Sequence, residues 1–312
     1  MEDIVGRTLR KRYRVDAFIG RGGMAEVYKV WDRQRAVFLA MKLLREDLAI
    51  DRVFMRRFQR EARTLERLQH PNIVRFYGLE QEGRLAFMLL DFIAGETLKH
   101  RIFDASGPLA MDQISGILRE VCGALQFAHS EGLVHCDIKP GNIMLDEHGQ
   151  ALLGDFGIAR LTDAATATMV GAGTPAYMAP EQARGLDPIP QTDIYGLGIV
   201  LFEMLTGGER PFTGENASIT GSTSDRVRWE QVHLEPISPR RFNDRIEPEL
   251  EAVVLKCLEK DPVKRFTSAL DLYNAFENAV TKGRNIPAEK PLPPPISEFD
   301  TEAPTMLESR PF

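Results

Sequence analysis

Apolar positions alternate in the first third of the chain and follow a helical period in most of the remainder. The pattern predicts strands at residues 15–19, 27–31, 37–43, 73–77 and 85–92, with short strands around a turn within 141–154. It predicts helices at residues 52–68, 111–129, 194–205, 248–258 and 267–281. A β-rich part followed by a helical part indicates an α+β protein of two lobes with a cleft between them.

The same pattern of hydrophobic positions predicts where the two lobes begin and end. We expect a small β-rich lobe at residues 1–92 and a larger, mostly helical lobe at 93–282. A polar loop is predicted at 213–225. The tail at 283–312 is Pro-rich and acidic, and no period survives in it, so it is predicted to be disordered.

Composition narrows the class of protein. With 312 residues and 43% hydrophobic content the chain can bury a sizeable core, and its formal charge of −6 argues against nucleic acid as a partner. Three cysteines without metal-ligand spacing indicate neither a disulfide framework nor a zinc site, and they fit a reducing cytoplasm. The longest apolar run, 194–205, is too short to span a bilayer, so we expect no membrane segment in this chain.

The chemistry is concentrated between His135 and Gly157. A hydroxyl that attacks a nucleotide's γ-phosphate needs a carboxylate to take its proton, a cation on the phosphoryl oxygens, and oxygen ligands for Mg²⁺. Asp137, Lys139, Asn142 and Asp155 can fill those posts in that order. The alternative is that such Asp and Asn residues only form turns.

A glycine cluster, Gly20, Gly22 and Gly23, allows a backbone to approach phosphates closely. The β-type run that follows it, 27–31, rules out the helix that a dinucleotide-binding fold requires. The cluster is therefore predicted to lie in a hairpin, which on its own is also an ordinary turn.

Glu61 lies within an apolar stripe of the helix at 52–68, which the period assigns to Phe54, Phe58, Ala62, Leu65 and Leu68. An inward carboxylate without a partner would cost several kcal/mol, so we expect a cation beside it. Lys42, on a predicted strand, is otherwise an ordinary solvated lysine.

Together these residues resemble the eukaryotic-type (Hanks-type) serine/threonine protein kinases, over residues 13–280. Residues 22–27, Gly-Gly-Met-Ala-Glu-Val, and 70–74, His-Pro-Asn-Ile-Val, are most similar to the bacterial branch. Two positions depart from the family pattern, since Ala25 stands for the third glycine and Cys136 stands for the usual Arg. The resemblance implies the bilobal protein-kinase fold.

The resemblance also implies the ligands, ATP with Mg²⁺ or Mn²⁺. Lys42 would bridge Glu61 to the α- and β-phosphates. The hinge would be 91–94, with Leu90 guarding the back of the adenine pocket. The implied ATP-binding residues are Ile19, Gly20, Gly22, Gly23, Val27, Ala40, Lys42, Leu90, Asp91, Ile93, Met144 and Asp155.

Further matches concern the substrate and the supporting structure. The order Asp137-Ile-Lys139-Pro-Gly-Asn142 resembles the Ser/Thr class, and Thr174 falls in that class's substrate-docking loop. The resemblance implies that Arg265 pairs with Glu181 and that Asp193 ties down the catalytic loop.

The implied function is ATP-dependent phosphorylation of Ser/Thr hydroxyls on proteins, with autophosphorylation, in bacterial signalling. The alternatives are a pseudokinase scaffold and a small-molecule kinase. Some bacterial members dimerise through the smaller lobe, so such a homodimer is one assembly to consider. The expected location is the cytoplasm, either as a separate chain or as the cytoplasmic domain of a longer membrane-anchored protein.

Cys136 leads to a hypothesis on regulation. In most relatives the Arg at this position binds a phosphothreonine of the activation segment through charge-assisted hydrogen bonds. Thr166 and Thr168 match positions that are autophosphorylated in bacterial relatives. Because cysteine carries no positive charge, we expect phosphorylation there without its being the main switch.

Overall fold

The computed structural model describes residues 4–23, 25–156 and 175–284. Several predictions fall on residues outside these ranges or on side chains that are not described, and they stay predictions: the side chain of Glu61, the phosphorylation candidates Thr166 and Thr168, the docking residue Thr174, and the tail from 285.

A six-stranded antiparallel sheet forms the first lobe, in the order β1-β2-β3-β4-β6-β5. A three-stranded sheet, β7-β8-β9, follows it. The strands are β1 Thr8–Leu9, β2 Tyr13–Arg21, β3 Ala25–Asp32, β4 Val37–Leu44, β5 Phe76–Glu82, β6 Leu85–Asp91, β7 Gly95–Thr97, β8 Ile143–Asp146 and β9 Ala151–Leu153. The predicted strands are confirmed except the one at 73–77, where only Phe76 and Tyr77 are in β5 and Ile73 forms an isolated bridge to Leu153.

The helices lie mainly in the second lobe. Their bounds are α1 Glu46–Ile50, α2 Arg52–Leu65, α3 Leu98–Asp104, α4 Met111–Ser130, α5 Pro180–Ala183, α6 Pro190–Thr206, α7 Thr223–His233, α8 Pro248–Cys257 and α9 Ala269–Arg284. The two-lobed arrangement predicted from the sequence is therefore present.

The large sheet separates two apolar cores, and this orients the candidate site. Val27 pairs with Lys42, and Ala40 pairs with Leu90, so all four side chains share one face of the sheet. That face packs on α2. The opposite face carries a separate core that includes Tyr28, Met41 and Leu89.

Helix α2 begins and ends for local reasons. The Asp51 carboxylate accepts hydrogen bonds from the backbone N–H groups of Val53, at 2.8 Å, and Phe54, at 3.1 Å, and so caps the first turn. The prediction that the helix extends to Leu68 is wrong, because the Leu68 N–H binds the Leu65 carbonyl at 3.1 Å in a tighter turn. The apolar stripe is nevertheless right, since Phe54, Phe58, Ala62 and Leu68 are buried and Leu65 is partly buried against the core.

Helix α6 passes through the centre of the second lobe. Every residue from Thr192 to Thr206 is buried, which confirms that the longest apolar run is a core helix. Pro190 opens the helix, and Gly207 ends it in the left-handed region at φ 78°. Among the described residues no helix has the length and apolar character needed to cross a membrane.

Sequence periodicity missed α1, α3, α5 and α7. Short or polar helices depend on their caps rather than on an apolar stripe. The Thr97 hydroxyl caps α3, and Ser222 forms a capping box with Asp225 at the start of α7. Helix α7 therefore overlaps the end of the segment that was predicted to be a loop, 213–225.

Candidate active site

A carboxylate on the core helix α6 holds the loop that follows α4. Asp193 accepts hydrogen bonds from the backbone N–H groups of His135 and Cys136, each at 2.8 Å, and it lies 2.8 Å from the His129 ring nitrogen Nε2. Cys136 has φ 69°, a left-handed conformation that an L-residue adopts only at a cost. The two hydrogen bonds hold this backbone in place, and the predicted tie between Asp193 and the loop is confirmed.

Asp137 presents a partly open carboxylate immediately after this anchor. Its Oδ2 accepts hydrogen bonds from Lys139 Nζ at 2.6 Å and from Asn142 Nδ2 at 2.9 Å. The side chain of Asp137 is 31% exposed and that of Lys139 is 29% exposed, whereas Asn142 is buried. A carboxylate that faces solvent beside a cation is suited to accept a proton from a bound hydroxyl.

His135 connects the two parts of the predicted chemistry. The Asp137 N–H lies 3.2 Å from its Nδ1, and its Nε2 lies 2.8 Å from the Gly154 carbonyl oxygen. These partners assign the neutral tautomer with the proton on Nε2. The ring also contacts Phe156 at a centroid distance of 4.5 Å. A single buried histidine therefore fixes the catalytic loop relative to the segment that carries Asp155.

Asp155 forms an ion pair with Lys42, the lysine on β4. Lys42 Nζ donates to Asp155 Oδ1, and the side chains are 19% and 35% exposed. Burial raises the pKa of Asp155, but the charge and hydrogen bond of Lys42 outweigh this, so the pKa lies below its ordinary value and the group stays ionised. Asp155 has φ 61°, which aspartate tolerates better than most residues.

The residues predicted to bind a metal fit a hard cation. Both hydrogen bonds of the Asn142 side chain are donated by its amide nitrogen, to the Asp137 carbonyl and carboxylate, which leaves the amide oxygen available. The Asn142 main chain lies beside Asp155, because the Gly154 N–H donates to the Asn142 carbonyl at 2.8 Å. Amide and carboxylate oxygens are the ligands that Mg²⁺ takes.

The glycine cluster lies in a hairpin, as predicted. Gly20 pairs with Val27, and the Gly22 N–H donates to the Ala25 carbonyl at 2.8 Å. Sequence reasoning missed the brace of this hairpin, an ion pair of 2.6 Å between Arg21 and the buried Glu26. The signal was present, since Arg21 and Glu26 stand opposite each other when the turn is centred on the glycines.

The residues predicted to enclose adenine lie on β2, β3, β4, β6 and β8, with Ile93 just after β6. Val27, Ala40 and Met144 are half-buried, and Ile93 is too, although Ile19 is 50% exposed. Leu90 is buried and lines a small apolar cavity with Phe156.

The hinge has a support that the sequence did not suggest. Tyr77 donates a hydrogen bond of 2.7 Å to Asp91 Oδ1, and the Asp91 N–H donates to the Arg75 carbonyl at 2.9 Å. The start of β5 and the residue before it therefore hold Asp91, the first residue of the predicted hinge, through both its side chain and its backbone.

The segment after the candidate site is anchored by a buried ion pair. Arg265 donates from two nitrogens to Glu181, at 2.7 and 2.9 Å, and the Thr192 hydroxyl adds a third bond at 2.8 Å. The predicted partnership of Arg265 and Glu181 is confirmed. Gln182 was missed, although its side chain donates to the Cys136 carbonyl at 2.9 Å and links this segment to the catalytic loop.

Comparison with known proteins agrees with this geometry. Residues 13–277 match the family described as the protein kinase domain. The chain is 38% identical over 283 residues to the serine/threonine-protein kinase PrkC of Bacillus subtilis, and the matched region covers 90% of this chain and 42% of PrkC. It is 37% identical over 302 residues to the serine/threonine-protein kinase PknA of Mycobacterium tuberculosis, covering 95% of this chain and 67% of PknA.

A solved structure has the same fold. The crystal structure of a cysteine-to-alanine mutant of the Mycobacterium tuberculosis PknI kinase domain superimposes with a TM-score of 0.70 at 27% identity, covering 90% of this chain and 100% of that one. The expected bilobal protein-kinase fold is confirmed. The chain therefore belongs to the protein kinase domain family, and within that family to the bacterial Hanks-type serine/threonine branch.

Proposed function

We propose that the chain transfers the γ-phosphoryl group of ATP to Ser and Thr hydroxyls of proteins, its own included, in bacterial signalling. The observation that carries this proposal is the Asp137 carboxylate, which is partly exposed and lies 2.6 Å from Lys139 Nζ. The chain spans only 42% of the length of PrkC, so family membership alone does not establish the activity of the whole protein.

Each polar group near Asp137 has a role in this reaction. Asp137 orients the acceptor hydroxyl and takes its proton, and Lys139 turns from Asp137 towards the γ-phosphoryl oxygens as ATP binds. Lys42 binds the α- and β-phosphates and exchanges its contact with Asp155 for a pair with Glu61. The transition state is loose, so placement and charge neutralisation supply most of the acceleration.

Protein kinases as a family use ATP and a divalent metal ion. In this chain Asn142 and Asp155 would hold Mg²⁺, or Mn²⁺, through their side-chain oxygens. The ion supplies positive charge to the phosphate oxygens. Because Lys42 holds Asp155 ionised, that carboxylate is ready to bind the ion at neutral pH.

The nucleotide lies between the lobes in this proposal. Val27, Ala40 and Met144 enclose adenine, with Ile19 closing over it and Leu90 behind it. The backbones of Asp91 and Ile93 bind the adenine edge, and the backbones of Gly20, Gly22 and Gly23 approach the phosphates. These assignments are supported by the shared sheet face of Val27, Ala40 and Leu90.

Proteins are the expected partners, and the charge of −6 disfavours nucleic acid. We place the activity in the cytoplasm, in this chain alone or as the cytoplasmic domain of a longer membrane-anchored protein, because three cysteines that form no disulfide with one another fit a reducing compartment. A homodimer through the smaller lobe stays a prediction. Sedimentation velocity would show whether the chain is a monomer or a dimer.

Labelled ATP tests the proposal. The protein is incubated with Mg²⁺ and with acidic and basic generic proteins, beside Lys42→Met and Asp137→Asn. The matched controls are Lys282→Met and Asp187→Asn, which change exposed residues of the same types. Label on Ser and Thr in the wild type and both controls, but in neither site variant, is the expected result. Wild-type protein without label would favour a scaffold, and label only on small molecules would favour a small-molecule kinase.

A further inference from the structure

A buried carboxylate lies beneath the segment that follows the predicted docking residue. The hydroxyl of Tyr177 lies 2.9 Å from each carboxylate oxygen of Glu203, a residue of α6 that is only 3% exposed. The Gln231 side chain donates to the Ala176 carbonyl at 2.7 Å. These contacts fix the position of Tyr177, and therefore the floor on which a substrate chain would lie.

Arg210 covers this buried carboxylate and exposes part of its own cationic side chain. Its Nε lies 2.5 Å from Glu203 Oε1, and its guanidinium carbon lies 5.4 Å from the centre of the Tyr177 ring. The side chain of Arg210 is 39% exposed, whereas that of Glu203 is 4% exposed. The guanidinium thus pairs with the buried Glu203 through Nε and also contacts the Tyr177 hydroxyl, while its exposed part faces solvent, where another anion can reach it.

Lys99 adds a second cation from the neighbouring helix. Helix α3 meets the turn after α6, since a methyl group placed on Gly208 would lie 3.4 Å from Ile102. Lys99 lies on α3 one turn before Ile102, on the helix that meets this turn. Burial raises the pKa of Glu203, and the opposing effects of Arg210 and, more weakly, Lys99 do not cancel this rise. Lys99 is exposed.

We propose that Arg210 and Lys99 form a subsite for an anionic side chain, a carboxylate or a phosphate, of the protein substrate near its acceptor hydroxyl. The subsite rests on the proposed kinase function. Arg210 sets the sign of the preference. Without it the same place would present the Glu203 carboxylate, which attracts cations.

Threonine peptides that differ at one flanking residue test the subsite. At each flanking position the residue is Gln, Glu, phosphoserine or Lys, and kcat/KM is measured for each peptide. At one position we expect Glu or phosphoserine to exceed Gln by about fivefold, the size of a half-exposed ion pair. A gain with Glu identifies a carboxylate ligand, and a gain with phosphoserine alone identifies a phosphate ligand.

Variants assign the gain to these side chains. Arg210→Gln should remove the gain at that position and turn the preference towards Lys, whereas Arg210→Lys should keep part of it. Lys99→Gln changes only an exposed residue, so it tests the subsite even if Arg210→Gln unfolds. It should lower the Glu to Gln ratio, and the control Glu209→Gln, which removes an exposed charge from the same turn, should not.

Two results would overturn the subsite while leaving the proposed function intact. One is equal kcat/KM for Gln, Glu and phosphoserine peptides at every position in an active wild type. The other is an unchanged anion preference in folded Arg210→Gln and Lys99→Gln. A wild type that phosphorylates no peptide and no protein refutes the proposed function, and the subsite falls with it.

Discussion

Replacing Asp193 with Asn should uncouple the catalytic loop from the core. Each carboxylate oxygen now accepts a backbone hydrogen bond, from His135 and from Cys136, at 2.8 Å. Asparagine keeps one acceptor and turns an amide nitrogen towards the other N–H. A hydrogen bond to a charged group is worth about 1.5–3 kcal/mol. The left-handed conformation of Cys136 costs about 1–2 kcal/mol in the wild type, so the backbone lowers its energy by leaving this conformation once the bond is lost.

The free energy of unfolding should therefore fall by about 2 kcal/mol, and Tm by about 4 °C for a domain of this size. The effect on kcat should be larger, about a hundredfold, because Asp137 directly follows the released residue and small misplacements are costly. Thermal unfolding and steady-state phosphorylation of a protein substrate measure the two quantities. Asp187→Asn, at an exposed aspartate, is the matched control. An Asp193→Asn variant with the Tm and kcat of the wild type would refute the reasoning.

Three further predictions concern the supporting structure and its regulation. Arg265→Met leaves the Glu181 carboxylate buried without its cation and should cost about 3–5 kcal/mol in unfolding free energy by urea titration. Burial raises the pKa of Glu181, but Arg265 outweighs this effect, so the folded-state pKa lies below the ordinary value of 4.5. The stability that the ionised Glu181 contributes is therefore present above pH 4.5 and is lost as the pH falls through the folded-state pKa. The difference in unfolding free energy between wild type and Arg265→Met should shrink over the same range of pH. Gly95→Ala should destabilise the protein by about 1–3 kcal/mol, since its methyl group would collide with the Leu145 carbonyl oxygen, and a variant as stable as the wild type would contradict that contact. Thr166→Ala/Thr168→Ala should lower kcat/KM by less than about tenfold, and a larger loss would show that phosphorylation there is the main switch.

The sequence could predict those parts of the fold that depend on long apolar patterns. Helix α6 and the stripe of Phe54, Phe58 and Ala62 on α2 were readable because burial repeats with the period of the element. The helices α3 and α7 were not, since α3 begins at a hydrogen bond that Thr97 accepts from the His100 N–H, and α7 begins at the capping box of Ser222 and Asp225. Periodicity contains no information about such caps.

The chemistry was easier to predict than the contacts between its parts. Asp137, Lys139 and Asn142 lie within six residues of one another, so their hydrogen bonds are local and their spacing is visible. The contact of Lys42 with Asp155 joins residues 113 positions apart. Such a contact depends on side-chain positions in the folded cleft, which spacing along the sequence does not contain. The pairing of Lys42 with Glu61 stays a prediction.

Cys136 shows why a departure from a family pattern can leave the chemistry intact. The structure holds this residue by its backbone: its N–H donates to Asp193 at 2.8 Å, and its carbonyl accepts from Gln182 at 2.9 Å. Neither bond depends on the side chain, so the geometry that positions Asp137 does not require an Arg at 136. Only an interaction made by the side chain itself, such as binding of a phosphothreonine, is lost with the positive charge. We therefore predict that activity and phosphate sensing separate at this position, because the positioning of Asp137 depends on main-chain atoms and phosphothreonine binding would depend on a guanidinium that residue 136 does not supply.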